Sequence, residues 1–152
     1  MRTAQSFRNE RVVFGAELPA QPEVSEHKTP VPNGEIIEMR AGVTQNDEFY
    51  IIELVLFPTP LSPERRDAMY ESGKKFMQQQ NPRKLTSEEK TTIDGQESRR
   101  YVLESNDGQR VTEHQTVIIG NEVFQFIYER LAGHPSSAAA KTFFFTSGLK
   151  KG

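Results

Sequence analysis

The stretch that decides the fold runs from Arg83 to Leu131 and reads RKLTSEEKTTIDGQESRRYVLESNDGQRVTEHQTVIIGNEVFQFIYERL. Four strand-like runs are separated here by turn signals at Asp94-Gly95, Asn106-Asp107-Gly108 and Gly120-Asn121. Residues of these types adopt the positive φ angles that short hairpin loops require. The stretch therefore predicts a continuous antiparallel meander.

Helical segments are predicted on both sides of this meander. Ser62, followed directly by a proline, has the properties of a helix N-cap, and Pro82 disfavours helical geometry at the residue before it. The first helix is therefore expected between these two residues. A second helix is expected after the meander, capped by Ser136 or Ser137.

The chain ahead of the first helix contains a strand that is apolar on both sides. In Glu48 to Phe57 only Glu53 interrupts the apolar pattern, so we expect a central strand that is packed on both faces. Val12–Leu18 and Glu35–Val43 are also predicted strands. Ala20–Gly34 contains three prolines and shows no periodicity, which predicts a loop.

This order of elements predicts an α+β fold. We expect a three-layer α/β/α sandwich with a central antiparallel sheet of about six to seven strands and two main helices. A cystatin-like arrangement, a helix followed by a four-stranded meander, is the structural alternative, but it accounts less well for the first strand and the last helix. The 152 residues fit one domain, expected over 12–149 after a flexible lead-in at 1–11.

Composition excludes several classes of function. The net charge of -2 and the pI near 6.0 provide no overall basic field for nucleic acid. Cysteine is absent, which excludes disulfides and thiolate metal sites. No apolar run reaches the ~18 residues of a membrane span. The histidines, His27, His114 and His134, lie in three different elements without metal-ligand spacing, so neither a metal nor a cofactor is expected.

Two groups of residues are candidate contact sites for a partner. The first is the polar face of one meander strand, expected to be open to water and formed by Arg110, Thr112, His114 and Thr116. The second is the long loop that contains Pro22, Pro30 and Pro32, because long loops in compact domains are often functional. Either surface would take a protein partner or a small ligand.

No catalytic residue is assigned from the sequence. Glu113 and His114 are adjacent on a strand and so point to opposite faces, and no Gly-x-Ser-x-Gly motif is present. A small hydrolase that works near His114 is an alternative to a binding function. A small-ligand carrier is a further alternative, which an internal apolar cavity would support and a tightly filled core would argue against.

Several short motifs resemble one known superfamily when they are taken in order. They are Phe14-x-Ala16-x-Leu18-Pro19-x-x-Pro22, Gly34, Leu56-Phe57-Pro58, Ile93-Asp94-Gly95, Tyr101, Gly120 and Phe143-Phe144-Phe145-x-Ser147-x-Leu149. From about residue 12 to 149 the chain resembles the Mog1/PsbP-like superfamily, in particular its small bacterial lipoprotein-type and uncharacterised members.

The resemblance implies a scaffold for protein contacts. The superfamily includes a subunit associated with the photosynthetic oxygen-evolving complex, a regulator of a small nuclear GTPase and chaperones for secreted bacterial toxins. It implies a non-catalytic protein-binding or assembly domain of the bacterial cell envelope, periplasmic or lipid-anchored through a leader that this sequence lacks. The alternative is a cytoplasmic chaperone for a secreted effector. The expected partner is another protein, and the expected state is a monomer or a homodimer.

Overall fold

A computed structural model describes residues 3–8, 12–80, 83–146 and 148–151. These residues form ten strands and two helices. In chain order the elements are β1 Thr3–Arg8, β2 Val12–Leu18, β3 Glu23–Val31, β4 Gly34–Gln45, β5 Glu48–Leu56, α1 Pro63–Gln80, β6 Arg83–Ile93, β7 Gln96–Ser105, β8 Arg110–Ile119, β9 Glu122–Leu131, α2 Ala138–Thr146 and β10 Gly148–Lys151.

A seven-stranded antiparallel sheet dominates the fold, with the strand order β3-β4-β5-β9-β8-β7-β6. The predicted meander is confirmed as β6 to β9, and the predicted six to seven strands and two main helices are confirmed as well. β5 pairs with β9, with Tyr50 opposite Tyr128. A separate antiparallel sheet has the order β1-β2-β10.

The predicted turn residues adopt the backbone geometry that their types favour. Asp94 and Gly95 have φ angles of 48° and 82°, which is the pair of positive angles of a type I′ hairpin between β6 and β7. Asn46 and Asp47 have φ angles of 54° and 63°, so the hairpin between β4 and β5 also has a pair of positive angles. Gly120 opens the β8–β9 turn with a φ of 60°. The hairpin register therefore follows from local chemistry.

One face of the large sheet, the α2 face, carries the main hydrophobic core. Tyr50 of β5, Phe126 of β9 and Phe143 of α2 are buried there together. The Phe143 ring stands edge-on to Tyr50 at 5.5 Å and to Phe126 at 6.3 Å between ring centroids. Leu18 brings β2 into the same core. Ser137, one of the two predicted caps, accepts a hydrogen bond from the Ala140 amide at the start of α2.

The opposite face, the α1 face, is packed much less completely. Tyr70 of α1 is buried, and its hydroxyl accepts a hydrogen bond from the Ile118 amide at 3.1 Å. Leu61, just before α1, and Val123 of β9 complete a small apolar cluster. The predicted cap is confirmed, since Ser62 Oγ accepts from the Arg65 amide. These contacts hold the N-terminal half of α1 against the sheet.

The predicted loop at Ala20–Gly34 is wrong. Most of it is β3, an edge strand that pairs with β4 through a hairpin. Its residues from Glu23 to Pro30 are exposed, so the strand has no buried face and therefore no alternating pattern. Pro30 is tolerated because only one side of an edge strand is paired. Asn33-Gly34 is a dipeptide typical of hairpin turns, which join two adjacent strands. The sequence therefore did contain a signal for a strand ahead of this turn.

Two other expectations are modified by the structure. Thr3–Arg8, expected within a flexible lead-in, forms β1 and pairs with β2, while the remaining residues of 1–11 lie outside the described ones. β5 is an interior strand, as predicted for Glu48 to Phe57. Its two faces differ, however, because Ile52 is fully buried in the core whereas the neighbouring Phe49 and Ile51 remain partly accessible.

The edge-on contacts of Phe143 predict a large effect on stability. Phe143→Ala should lower the free energy of unfolding by about 3–5 kcal/mol, because it removes the buried ring that joins α2 to the sheet. Urea unfolding followed by circular dichroism measures this. Lys141→Ala, on the exposed side of the same helix, is the matched control and should change stability by less than about 0.5 kcal/mol. Equal effects of the two substitutions would contradict this description of the core.

Candidate functional site

A cavity of about 480 Å³ lies between the C-terminal half of α1 and the α1 face of the sheet. We call it the α1 cavity. Its volume is within the range of about 300–1,000 Å³ typical of small-molecule sites. Apolar parts of the wall come from Met69 and Met77 of α1 and from Ile51 and Ile127 of the sheet. The rest of the floor combines further apolar side chains with polar ones.

Hydrogen-bonded side chains cross the floor from strand to strand, and we call them the polar ladder. Arg40 of β4 donates through Nε and a terminal nitrogen to Glu53 Oε2 of β5, at 2.8 and 2.6 Å. Glu53 Oε1 accepts from Gln125 Nε2 of β9 at 2.8 Å. Gln125 Oε1 in turn contacts His114 Nε2 of β8 at 2.7 Å. The strand register produces this order, since Arg40 lies opposite Glu53 and Glu53 lies opposite Gln125.

The ladder determines the tautomer of His114. Gln125 donates to Glu53 through its amide nitrogen, so its oxygen is the atom that faces the imidazole. We therefore assign the proton to His114 Nε2, which leaves Nδ1 against the Met77 sulfur. His114 is 3% exposed. Burial, aided by the nearby charge of Arg83, lowers the pKa of His114 to about 4, so the ring is neutral at pH 7.

A second polar group is centred on Glu129 of β9. Its carboxylate accepts from Arg83 at 3.0 Å, from Arg110 Nε at 2.8 Å and from the Thr112 hydroxyl at 3.0 Å. Arg110 also lies over the ring of Phe49, 5.2 Å from its centroid. The two arginines at this end of the cavity therefore share one carboxylate.

Tyr101 of β7 is the unusual member of the lining. Its side chain is 1% exposed, and its hydroxyl has no hydrogen-bond partner among the described residues. It lies opposite His114 in the strand register, with the ring centroids 6.0 Å apart. Burial raises the pKa of Tyr101 to about 12, so the hydroxyl keeps its proton and remains a donor.

Gly73 leaves room on the helix side of the cavity. It lies on the same stripe of α1 as Met69, Tyr70 and Met77, three or four residues away from each. A Cβ atom built on Gly73 would meet nothing within 4 Å. The cavity therefore exists partly because this position carries no side chain.

The expectation that the polar face of β8 is open to water is wrong. Thr112, His114 and Thr116 are buried beneath α1 and line the cavity, and Arg110 is held at its edge by Glu129. Alternation had identified the correct face. It could not show that the first helix would cover that face.

The predicted proline site is not part of the cavity. Pro22 is buried between β2 and β3, whereas Pro30 and Pro32 are exposed on the β3–β4 hairpin. None of the three is in the cavity wall. The structure therefore separates the two groups of residues that the sequence offered as contact sites.

Sequence reasoning missed most of the residues that shape the cavity. Glu53 had a signal, because a single carboxylate in an otherwise apolar strand needs a partner. Gly73 had a weaker sequence signal, because glycine is unfavourable inside a helix and its presence there needs an explanation. Tyr101 and Gln125 had none, since their roles depend on which strands become neighbours.

The polar groups of the α1 cavity are hydrogen-bonded mainly to one another. His114 donates to Gln125 through Nε2 and contacts the Met77 sulfur through Nδ1, and no hydroxyl group of the described residues bonds to either nitrogen. A base whose pKa lies near 4 is poorly matched to proton abstraction at neutral pH. Among the described residues, no group of histidine and carboxylate side chains is placed to hold a metal ion. Neither helix in the described part of the chain is sufficiently long and apolar to cross a membrane.

Comparison with known proteins identifies no relative: no family model matches the sequence, and no curated protein matches it.

Burial of a neutral His114 predicts a pH-dependent stability. In the unfolded chain this residue takes up a proton near its usual pKa of 6.5, whereas in the folded protein it does so only near 4. The free energy of unfolding should therefore fall as the pH decreases from 6.5 to 4, with roughly 3 kcal/mol attributable to His114. Urea titrations across this range measure the loss.

His114→Gln provides the control, because glutamine can donate to Gln125 but does not titrate. The difference in unfolding free energy between wild type and variant should shrink as the pH falls, since other titrating groups contribute equally to both proteins. A difference that is constant from pH 6.5 to 4 would show that His114 is not buried in the neutral form.

Proposed function

We propose that this chain is a non-catalytic binding domain and that its ligand, a small molecule, occupies the α1 cavity. The observation that carries the proposal is a cavity of about 480 Å³ whose apolar walls surround a hydrogen-bonded polar floor. Ligand sites combine these features, because apolar area supplies affinity and a few fixed polar groups supply orientation. A cavity with apolar walls also favours the small-ligand carrier over the hydrolase.

The incomplete packing of α1 supports the same proposal. The helix is fastened through Tyr70 and Leu61 at its N-terminal end, while Gly73 and Met77 face open space further along. Unfilled apolar volume destabilises a protein by about 24 cal/mol per Å³ in mutational series. A bound molecule would recover part of this energy by restoring the missing contacts.

We also propose the finer fold and family assignments. α1 and α2 contact residues on opposite faces of the seven-stranded sheet, which supports a three-layer α/β/α sandwich. The order of strands and helices supports the Mog1/PsbP-like type, and from that resemblance we infer a role in the bacterial cell envelope. A cytoplasmic chaperone for a secreted effector is the alternative within the same type.

A protein partner is the second candidate, favoured by the edge strand β3. This strand is exposed along most of its length, and Val24 is a 58%-exposed apolar side chain upon it. An exposed edge offers free backbone groups for pairing with another chain. The charged residues Glu26 and Lys28 limit such pairing to partners that match them.

The cavity proposal predicts that filling the space from α1 abolishes binding. The fluorescent probe N-phenylnaphthylamine, which is neutral and largely apolar, should bind the wild-type protein with enhanced emission. Gly73→Phe should reduce its affinity at least about tenfold, because the ring would occupy the volume beside Met69 and Met77. Fluorescence titration measures both affinities.

Gly73→Ala is the matched control. It adds one methyl group in open space and removes a helical glycine, so it should raise the unfolding free energy by about 0.5–1 kcal/mol while leaving probe binding nearly intact. Undiminished probe binding by a folded Gly73→Phe variant would place the probe elsewhere and overturn the proposed site.

Association through β3 predicts a different set of results. Sedimentation of the wild-type protein should show an apparent mass that rises with concentration, and Val24→Asp should suppress that rise without changing the unfolding free energy, because the side chain is exposed. A wild-type mass that stays constant at the monomer value would rule out a homodimer formed by this edge.

A further inference from the structure

The cationic side chains in the described part of the cavity wall all lie against carboxylates. Arg40 pairs with Glu53 at 2.6 Å and Lys74 with Glu88 at 3.0 Å, whereas Arg83 contacts Glu129 at 3.0 Å and shares it with Arg110. An ionic ligand would therefore have to compete with carboxylates and cations that already pair with one another. Breaking such a pair costs free energy.

The wall also contains a buried hydrogen-bond donor that lacks a partner among the described residues. The Tyr101 hydroxyl is buried and unpaired within the described part of the chain, and the nearby Lys74 and Glu88 satisfy each other. Buried polar groups in folded proteins nearly always have a partner, so an exception needs an explanation. An oxygen atom on a bound molecule would supply the missing acceptor.

Access to this hydroxyl requires a small adjustment of α1. The oxygen itself is covered, so a ligand must displace a neighbouring side chain to reach it. Lys74 and Met77 of α1 line the cavity, and both are long and unbranched. Side chains of this type change rotamer readily, and methionine in particular adapts to ligands of different shape.

We propose that the α1 cavity binds an uncharged, mainly apolar molecule and that a carbonyl or hydroxyl oxygen of this molecule accepts a hydrogen bond from Tyr101. This inference rests on the proposed binding function and specifies the chemistry of its ligand. The ion pairs already present in the wall disfavour ions, the apolar walls hold the body of the molecule, and Tyr101 orients it.

Three naphthalene derivatives of similar size test the proposal with the full chain. Acetonaphthone carries a ketone, ethylnaphthalene lacks oxygen, and naphthylacetate carries a carboxylate. Their affinities are measured by displacement of N-phenylnaphthylamine from the wild-type protein. Acetonaphthone should bind about threefold to tenfold more tightly than ethylnaphthalene, which is the usual effect of one net hydrogen bond. Naphthylacetate should bind at least about tenfold more weakly than acetonaphthone.

Tyr101→Phe separates the hydroxyl group from the shape of the cavity. The variant should fold with unchanged or higher stability, because it loses a hydroxyl that has no partner. It should bind ethylnaphthalene as the wild type does and lose the preference for acetonaphthone. A preference that survives in the variant, or equal binding of naphthylacetate and acetonaphthone, would overturn the inference while leaving the cavity as the site. Failure of the probe to bind, or to respond to Gly73→Phe, would instead remove the proposed function.

Discussion

The pairing of β5 with β9 is the interaction on which the rest of the structure depends. It joins the N-terminal strands to the meander, and its register places Tyr50 against Tyr128 on one face and Glu53 against Gln125 on the other. A slip of one residue would exchange the two faces, putting aromatic rings under α1 and carboxylates in the core. The core and the cavity floor are therefore set by the same register, and neither can change without the other.

The two helices use the sheet in different ways because their sequences differ. α2 presents the small Ala140 and the large Phe143 to an aromatic face, and both side chains are buried there. α1 presents Gly73 and Met77 to a face of mixed polarity, and Tyr70 accepts a hydrogen bond from the backbone of the sheet. Protein interiors are normally packed as densely as crystals of organic molecules. The packing beneath α1 is looser than this, and it leaves the space of the α1 cavity.

The parts of the fold that local chemistry controls could be predicted from the sequence. The turn at Asp94-Gly95 and the cap at Ser62 depend on nearby residues alone, and both were correct. β3 escaped prediction because a strand exposed on both faces has no hydrophobic period, and pairing with β4 decides its conformation. The face of β8 that carries His114 was identified, but its burial follows from where α1 lies. The hydrophobic period of a strand distinguishes its two faces, but it does not show which helix or strand will pack on each face.

The polar ladder shows how a polar floor can extend inward without the burial of a free charge. Its outer member, Arg40, has a side chain that is 53% exposed, and it neutralises Glu53, whose side chain is 11% exposed. The inner members, Gln125 and His114, carry no charge at neutral pH, and burial of His114 holds its pKa near 4. Along the ladder the charged side chains lie outermost, and the uncharged, hydrogen-bonded side chains lie deeper. This order avoids most of the cost of desolvating ions. The inner part of the ladder is therefore hydrogen-bonded without carrying a charge of its own.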